Sequence, residues 1–174
     1  MNNIALVFTL ACFCGCAWAS DIAWDDISAG NTRLKTVLVS SSNPRLIYFG
    51  SEKGVFESED NAQSWRNVLS LPSHNRAVNL LLADPHNDNF LYAATGNGLY
   101  YSYDKGKSWK RIFKGRNDSE KNCVALAILP QEIYLGTDSG LFLSRDRGRT
   151  WNKEGGILSK GQVLTIVYNP AQPR

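Results

Sequence analysis

Four of the five tryptophans in this 174-residue chain keep step with one another. Aligned on them, the sequence reads AWDDI at Trp24, SWRNV at Trp65, SWKRI at Trp109 and TWNKE at Trp151, at intervals of 41, 44 and 42 residues. A fixed period of this length means that the chain repeats one supersecondary unit, and that each unit buries its faces against its neighbours.

The rest of each period repeats too. Ahead of the three later tryptophans lie LIYFGSEKGVFES, FLYAATGNGLYYS and EIYLGTDSGLFLS, and ahead of those come TVLVSSSNP, VNLLLADP and VALAILP, each stopped by a proline. In the last complete unit, residues 124–129 form an apolar run, 132–136 and 140–144 flank a glycine-bounded turn, and 150–154 follow a charged turn. These runs are short and rich in Val, Leu, Ile, Tyr and Phe, which predicts strands and leaves no room for a helix. Four strands in about 42 residues predict a blade of a β-propeller. The expected fold is all-β, with four-stranded antiparallel blades at 35–68, 78–112 and 123–154. The runs at 20–28 and 162–170 are expected to be parts of a further blade, so the ring as read is incomplete.

Between the third and fourth strands of each blade stands S-x-D-x-G-x-[ST]-W. Its copies are SEDNAQSW (58–65), SYDKGKSW (102–109) and SRDRGRTW (144–151). The aspartate in such a turn can accept backbone N–H groups that the turn leaves unpaired, the hydroxyls add local bonds, and the glycine supplies positive φ. The tryptophan is then expected to fold back as an apolar plug between adjacent blades. Ala62 replaces glycine in the first copy, so that turn is expected to be strained or reshaped. Arg145, Arg147 and Arg149 read as the solvated rim of a hairpin.

Ser58, Asp60, Ser64 and Trp65, with Ser102, Asp104, Gly106, Ser108 and Trp109 and with Ser144, Asp146, Gly148, Thr150 and Trp151, resemble the Asp-box or BNR repeat. That repeat is found in sialidases, sortilin-type receptor ectodomains, xyloglucanase-type glycoside hydrolases and photosystem II assembly-factor-like propellers. The resemblance implies a propeller and a scaffolding role for the box, away from active or binding surfaces. No [FY]-R-I-P segment of the sialidase kind precedes the first box; Arg45 in NPRLIY reads as opening a strand. Asp25 and Asp26 are the only paired carboxylates where a xyloglucanase-type enzyme would carry one, and they fall in the box-tryptophan register of an outer strand. The short G-[LV]-[FY]-x-S-x-D units look most like the assembly-factor-like group, whose members bind other proteins.

The first nineteen residues carry no charged side chain, and an apolar run ends in AWAS, which reads as a secretory signal peptide cleaved after Ala19. Secreted or periplasmic placement follows. Cys12, Cys14 and Cys16 offer a lipid-anchored alternative, though none follows a Leu-small-small triplet; no later apolar run is long enough to span a membrane. The remaining cysteine, Cys123, opens an apolar run and reads as a buried small hydrophobe, not as half of a disulfide. A net charge of +3 without a long basic run gives no nucleic-acid footprint. His74 and His86 stand in different loops without metal-ligand spacing, and no cofactor or metal is expected.

Function in such a repeat is expected on the connections between blades: 70–77, 113–122 and 153–161. These are long and basic, and Arg76, Lys114, Arg116, Lys121 and Lys160 are the candidate binding residues. The expectation is a non-enzymatic scaffold that binds a protein or glycan partner, with self-association through open blade edges as a further possibility. The alternatives are a glycoside hydrolase of the sialidase or xyloglucanase type with catalytic residues partly outside this chain, and a receptor ectodomain.

Overall fold

The computed structural model describes residues 33–72 and 77–168. The expected cleavage site, the cysteines near the amino terminus, Trp24, Asp25, Asp26, His74, Arg76 and the last residues of the 162–170 run lie outside them. The described residues build three four-stranded antiparallel sheets. The first holds β1 (Leu34–Val39), β2 (Ile47–Ser51), β3 (Gly54–Ser58) and β4 (Arg66–Ser70). The second holds β5 (Val78–Asp84), β6 (Asn87–Thr95), β7 (Gly98–Ser102) and β8 (Lys110–Phe113). In the third are β9 (Cys123–Ile128), β10 (Ile133–Thr137), β11 (Gly140–Ser144) and β12 (Asn152–Lys153). Strands pair in sequence order in every sheet, so each is a meander and the chain moves to the next sheet only after its fourth strand.

The first strands stand side by side, β1 against β5 and β5 against β9. This is the propeller arrangement, and small residues make it possible. A Cβ on Gly50, near the end of β2, would meet the Val78 side chain of the next blade at 2.5 Å.

Neither apolar core belongs to one sheet. Leu46, Tyr48 and Val55 of the first blade close on Val78, Leu81, Leu91 and Ala93 of the second, with Trp109 against them. Tyr92, Ala94, Leu99 and Phe113 of the second close on Cys123, Leu126, Ile133, Leu135 and Phe142 of the third, with Trp151 against them. Burial at Cys123 pushes its thiol well above the usual range.

Three details differ from the sequence reading. A single helical turn, α1 (Asp118–Lys121), interrupts the second connection, because Asn117 caps it by accepting the Glu120 N–H at 2.9 Å. The fourth strand of the third blade, expected over 150–154, shrinks to two residues: Thr150 is held back by Asp146, and two glycines follow Glu154. Residues 162–168 form no strand. Val163 N–H reaches the Thr137 carbonyl at 3.0 Å and the residue lies over Gly136, but the described residues include no further sheet with which to ladder.

Candidate functional site

Antiparallel order puts two kinds of loop at opposite ends of the blades. One end carries the S-x-D turns and the β1–β2, β5–β6 and β9–β10 turns. The other carries the tight β2–β3, β6–β7 and β10–β11 turns and the connections between blades.

At the first end the three S-x-D turns share one bonding scheme. The Ser58, Ser102 and Ser144 hydroxyls each donate to the aspartate two residues on at 2.8 Å. Each also accepts the N–H four residues on, from Ala62, Gly106 and Gly148, at 2.7–2.8 Å. The aspartate in turn accepts both the N–H and the hydroxyl of Ser64, Ser108 or Thr150. Donation by the Ser64 hydroxyl and N–H, then by Ser58, lowers Asp60 to about 2. Thr150 does the same to Asp146, also to about 2. At Asp104 burial works the other way, but Ser108 and Ser102 overcome it and the carboxyl is again lowered. These carboxylates are saturated from within, which leaves them little capacity for a ligand.

The turn backbone carries two consecutive positive φ values in every copy: Asn61 and Ala62 at 60° and 67°, Lys105 and Gly106 at 57° and 83°, Arg147 and Gly148 at 57° and 85°. Ala62 therefore takes the shape of the glycines and bears the strain of an L-residue there. Trp109 packs on the core between the first and second blades and donates Nε1–H to Gly106 O at 2.9 Å. Trp151 packs on the next core, and its Nε1–H reaches Ile112 O of the preceding blade at 2.9 Å. Trp65 stands edge-on to Phe49 at 4.6 Å.

A second cross-blade tie lies at the same end. Asp88 accepts from the Ser40 and Ser41 hydroxyls at 2.7 and 2.8 Å and from Ser42 N–H at 2.8 Å, joining the second blade to the β1–β2 turn. The Ser40 hydroxyl, then Ser42 N–H and Ser41, hold its carboxyl far below the usual range.

The connection end is arranged differently. A line of polar side chains crosses all three blades there. Lys35 Nζ donates to Asn79 Oδ1 (3.4 Å), Asn79 Nδ2 to Asn122 Oδ1 (3.0 Å), and Asn122 Nδ2 to Asp138 Oδ2 (2.6 Å), while Gln162 Nε2 donates to Asp138 Oδ1 (2.6 Å). Beside it the second connection folds over a cleft lined by Phe113, Gly115, Arg116, Glu120, Phe142, Trp151 and Lys153. Glu120 is buried, accepts Arg116 N–H at 2.8 Å and faces Lys153 Nζ at 3.7 Å; Lys153 also lies over the Phe142 ring at 5.5 Å.

Of the expected binding residues, Lys114, Arg116 and Lys121 come together on this one connection. Lys114 and Arg116 are exposed, and Lys121 is paired with Asp118 at 3.1 Å. Lys160 is exposed on the next connection, beyond a 3-10 turn (Gly156–Ser159) that lies against the β10–β11 turn at Gly140. Asn79, Asn122, Asp138, Glu120 and Lys153 were not legible as site residues. Only Glu120 had a local signal, the Asn117-x-x-Glu120 capping pattern. Among the described residues no three His, Cys, Asp or Glu side chains gather as a metal site would require, and no helix is long and apolar enough to cross a membrane.

A scan against protein-family models finds no match, and neither does a search of curated proteins. Solved structures do match. An ancestral GH74 enzyme superposes with a TM-score of 0.62 at 21% identity, over 72% of this chain and 19% of the other. YCF48 from Cyanidioschyzon merolae superposes with 0.51 at 18% identity, over 70% of this chain and 37% of the other. A YCF48 solved bound to a D1 peptide gives 0.52 at 15% identity, over 70% and 40%. The extracellular domain of a B. thetaiotaomicron two component system gives 0.60 at 19% identity, over 77% and 18%. The chain has a β-propeller fold. It spans about a fifth of the length of the GH74 enzyme it matches.

Proposed function

We propose that this chain is an exported, non-enzymatic propeller scaffold that holds a protein partner on its connection end. The observation that carries the reading is the contrast between the ends. The S-x-D turns, which we read as Asp boxes, consume their own polar groups. At the opposite end Lys114, Arg116 and Lys160 are exposed, and the half-buried line of Asn79, Asn122 and Asp138 has exposed Lys35 and Gln162 at its ends. Such a surface offers hydrogen bonds and positive charge to a polypeptide with acidic groups. That a propeller of this fold has been solved with a peptide bound supports the choice of partner. The amino-terminal apolar run with cleavage after Ala19 supports export.

The second reading is a glycoside hydrolase, favoured by the GH74 fold match. Glu57, the one described carboxyl raised by burial despite its Arg66 partner, is 3% exposed and inside the blade, where a sugar does not reach it. The experiment is a pair of assays on the purified full chain. Xyloglucan and sialosides should remain intact, and a photo-crosslinking residue at position 116 should capture a protein partner that the same residue at position 149 does not. Glycan hydrolysis lost in Asp25→Asn or Asp26→Asn, or equal capture at both positions, overturns the reading.

A further inference from the structure

The first strand of every blade keeps one frame. In β1, β5 and β9 the pairing register slips at the same place, at Lys35, Asn79 and Val124, so Leu34, Val78 and Cys123 are equivalent, as are Val37, Leu81 and Leu126. In that frame β1 reads LKTVLV, and residues 163–168 read VLTIVY. The segment also lies where such a strand belongs. A Cβ on Gly136, the fourth residue of β10, would meet Val163 Cγ1 at 2.9 Å, just as one on Gly50, the fourth residue of β2, would meet Val78 Cγ1 of the next blade at 2.5 Å. Gln162 Nε2 donates to Asp138 at 2.6 Å and Val163 N–H to Thr137 O at 3.0 Å, which ties the segment to the third blade. Val163 and Ile166, at the places of buried Val78 and Leu81, are half-buried; Leu164, Thr165, Val167 and Tyr168 are exposed, Val167 at 88%.

What this segment lacks is a neighbour to ladder with. Among the described residues, no backbone N–H or C=O of 164–168 has a hydrogen-bond partner. An apolar strand held in place with an open edge is a template for pairing. We propose that residues 163–168 are a strand-addition site, whose occupant is an extended segment of another protein lying antiparallel along them, as β2, β6 and β10 lie along β1, β5 and β9. A second folded copy has no such strand to give, because β2, β6 and β10 are each paired on both edges. Register states the chemistry of the occupant. Thr95 and Thr137 stand opposite Val78 and Cys123, Ala93 and Leu135 opposite Leu81 and Leu126, Tyr92 and Tyr134 opposite Leu82 and Ala127, and Leu91 and Ile133 opposite Ala83 and Ile128. The occupant therefore sets an aliphatic residue against Tyr168, Tyr against Val167, an apolar residue against Ile166 and Ser or Thr against Val163. Main-chain bonds supply its affinity and the alternate side chains its selectivity. Arg116 takes no part, so this contact is independent of the one at the basic connection.

The probe is a synthetic peptide of residues 89–102, NFLYAATGNGLYYS, which meets that description. Added to the 15N-labelled full chain, it should shift the amide signals of residues 163–168 saturably and slow hydrogen exchange there. Ile166→Asp should weaken binding by roughly tenfold or more, as expected for replacing an apolar side chain at a packed position, while the melting of the three blades stays in place. Arg116→Glu should bind the peptide as the parent does. No saturable shift at 163–168, equal binding of a peptide with the same residues in scrambled order, or loss of binding in Arg116→Glu overturns the proposal. Shifts at 163–168 that appear without peptide as the protein concentration rises also overturn it, because a second copy then takes the edge.

Discussion

The indole of Trp151 donates to the carbonyl of Ile112, 39 residues earlier and one blade back, at 2.9 Å. The contact joins an apolar plug to a directed bond. Trp151→Ala should cost about 3 kcal/mol, in the range for truncating a packed aromatic, and Trp151→Phe about 1 kcal/mol through the lost bond. Urea unfolding measures both; an unchanged midpoint for Trp151→Ala would contradict a wedge role.

Ala62 sits at φ 67° where the other turns have glycine. Ala62→Gly relieves about 1 kcal/mol of left-handed strain and adds about 0.4–1 kcal/mol of unfolded-chain entropy. The expected change is from zero to slightly stabilising. A clear loss of stability in thermal melts would mean that the methyl makes a contact worth more than the strain.

Asp60, Asp88 and Asp146 all have carboxyls lowered by hydroxyl and N–H donors. Their folded pKa values lie below the unfolded value of about 3.9, so the stability they contribute is present above roughly pH 4 and lost as pH falls through the folded values. Urea midpoints should decline from pH 5 to pH 2. In Asp146→Asn the starting midpoint should be lower and the decline shallower; a decline as steep as the parent's would remove that turn from the acid response.

Cys123 is fully buried and its thiol is raised. Iodoacetamide at pH 8 should leave it unmodified for as long as the chain is folded and label it fully in 8 M urea. Rapid labelling of the native chain would show that the core between the second and third blades opens locally.

Charge reversal at exposed Arg116 should weaken partner binding at low salt more than at high salt and leave the melting temperature in place. Lys121→Glu, which also loses the Asp118 pair, should act the same way at little cost in stability. Affinity indifferent to both changes removes this connection from the binding surface.

Sequence carried the blade plan because strands, turns and the S-x-D box are local chemistry. Asp104 bonds Ser102 and Ser108, all within seven residues, so the pattern is visible wherever it occurs. The connection end was only half legible. Its basic residues stand out by type, but Asn79, Asn122 and Asp138 become a line only when two neighbouring blades bring together positions as far apart as 43 residues. Glu120 stands in a polar connection. Its burial follows from a capped helical turn folding over Phe113 and Phe142, which no local period announces.

Because each core is shared between two sheets and neither lies within one, a blade has no interior of its own to lose. A cavity cut into the middle sheet weakens two interfaces, whereas the same cut in a flanking sheet weakens one. Unfolding should then behave as a short chain of coupled units that frays from its ends, with hydrogen exchange slowest at Leu99 and Ala93 in the centre and faster in β1 and β12.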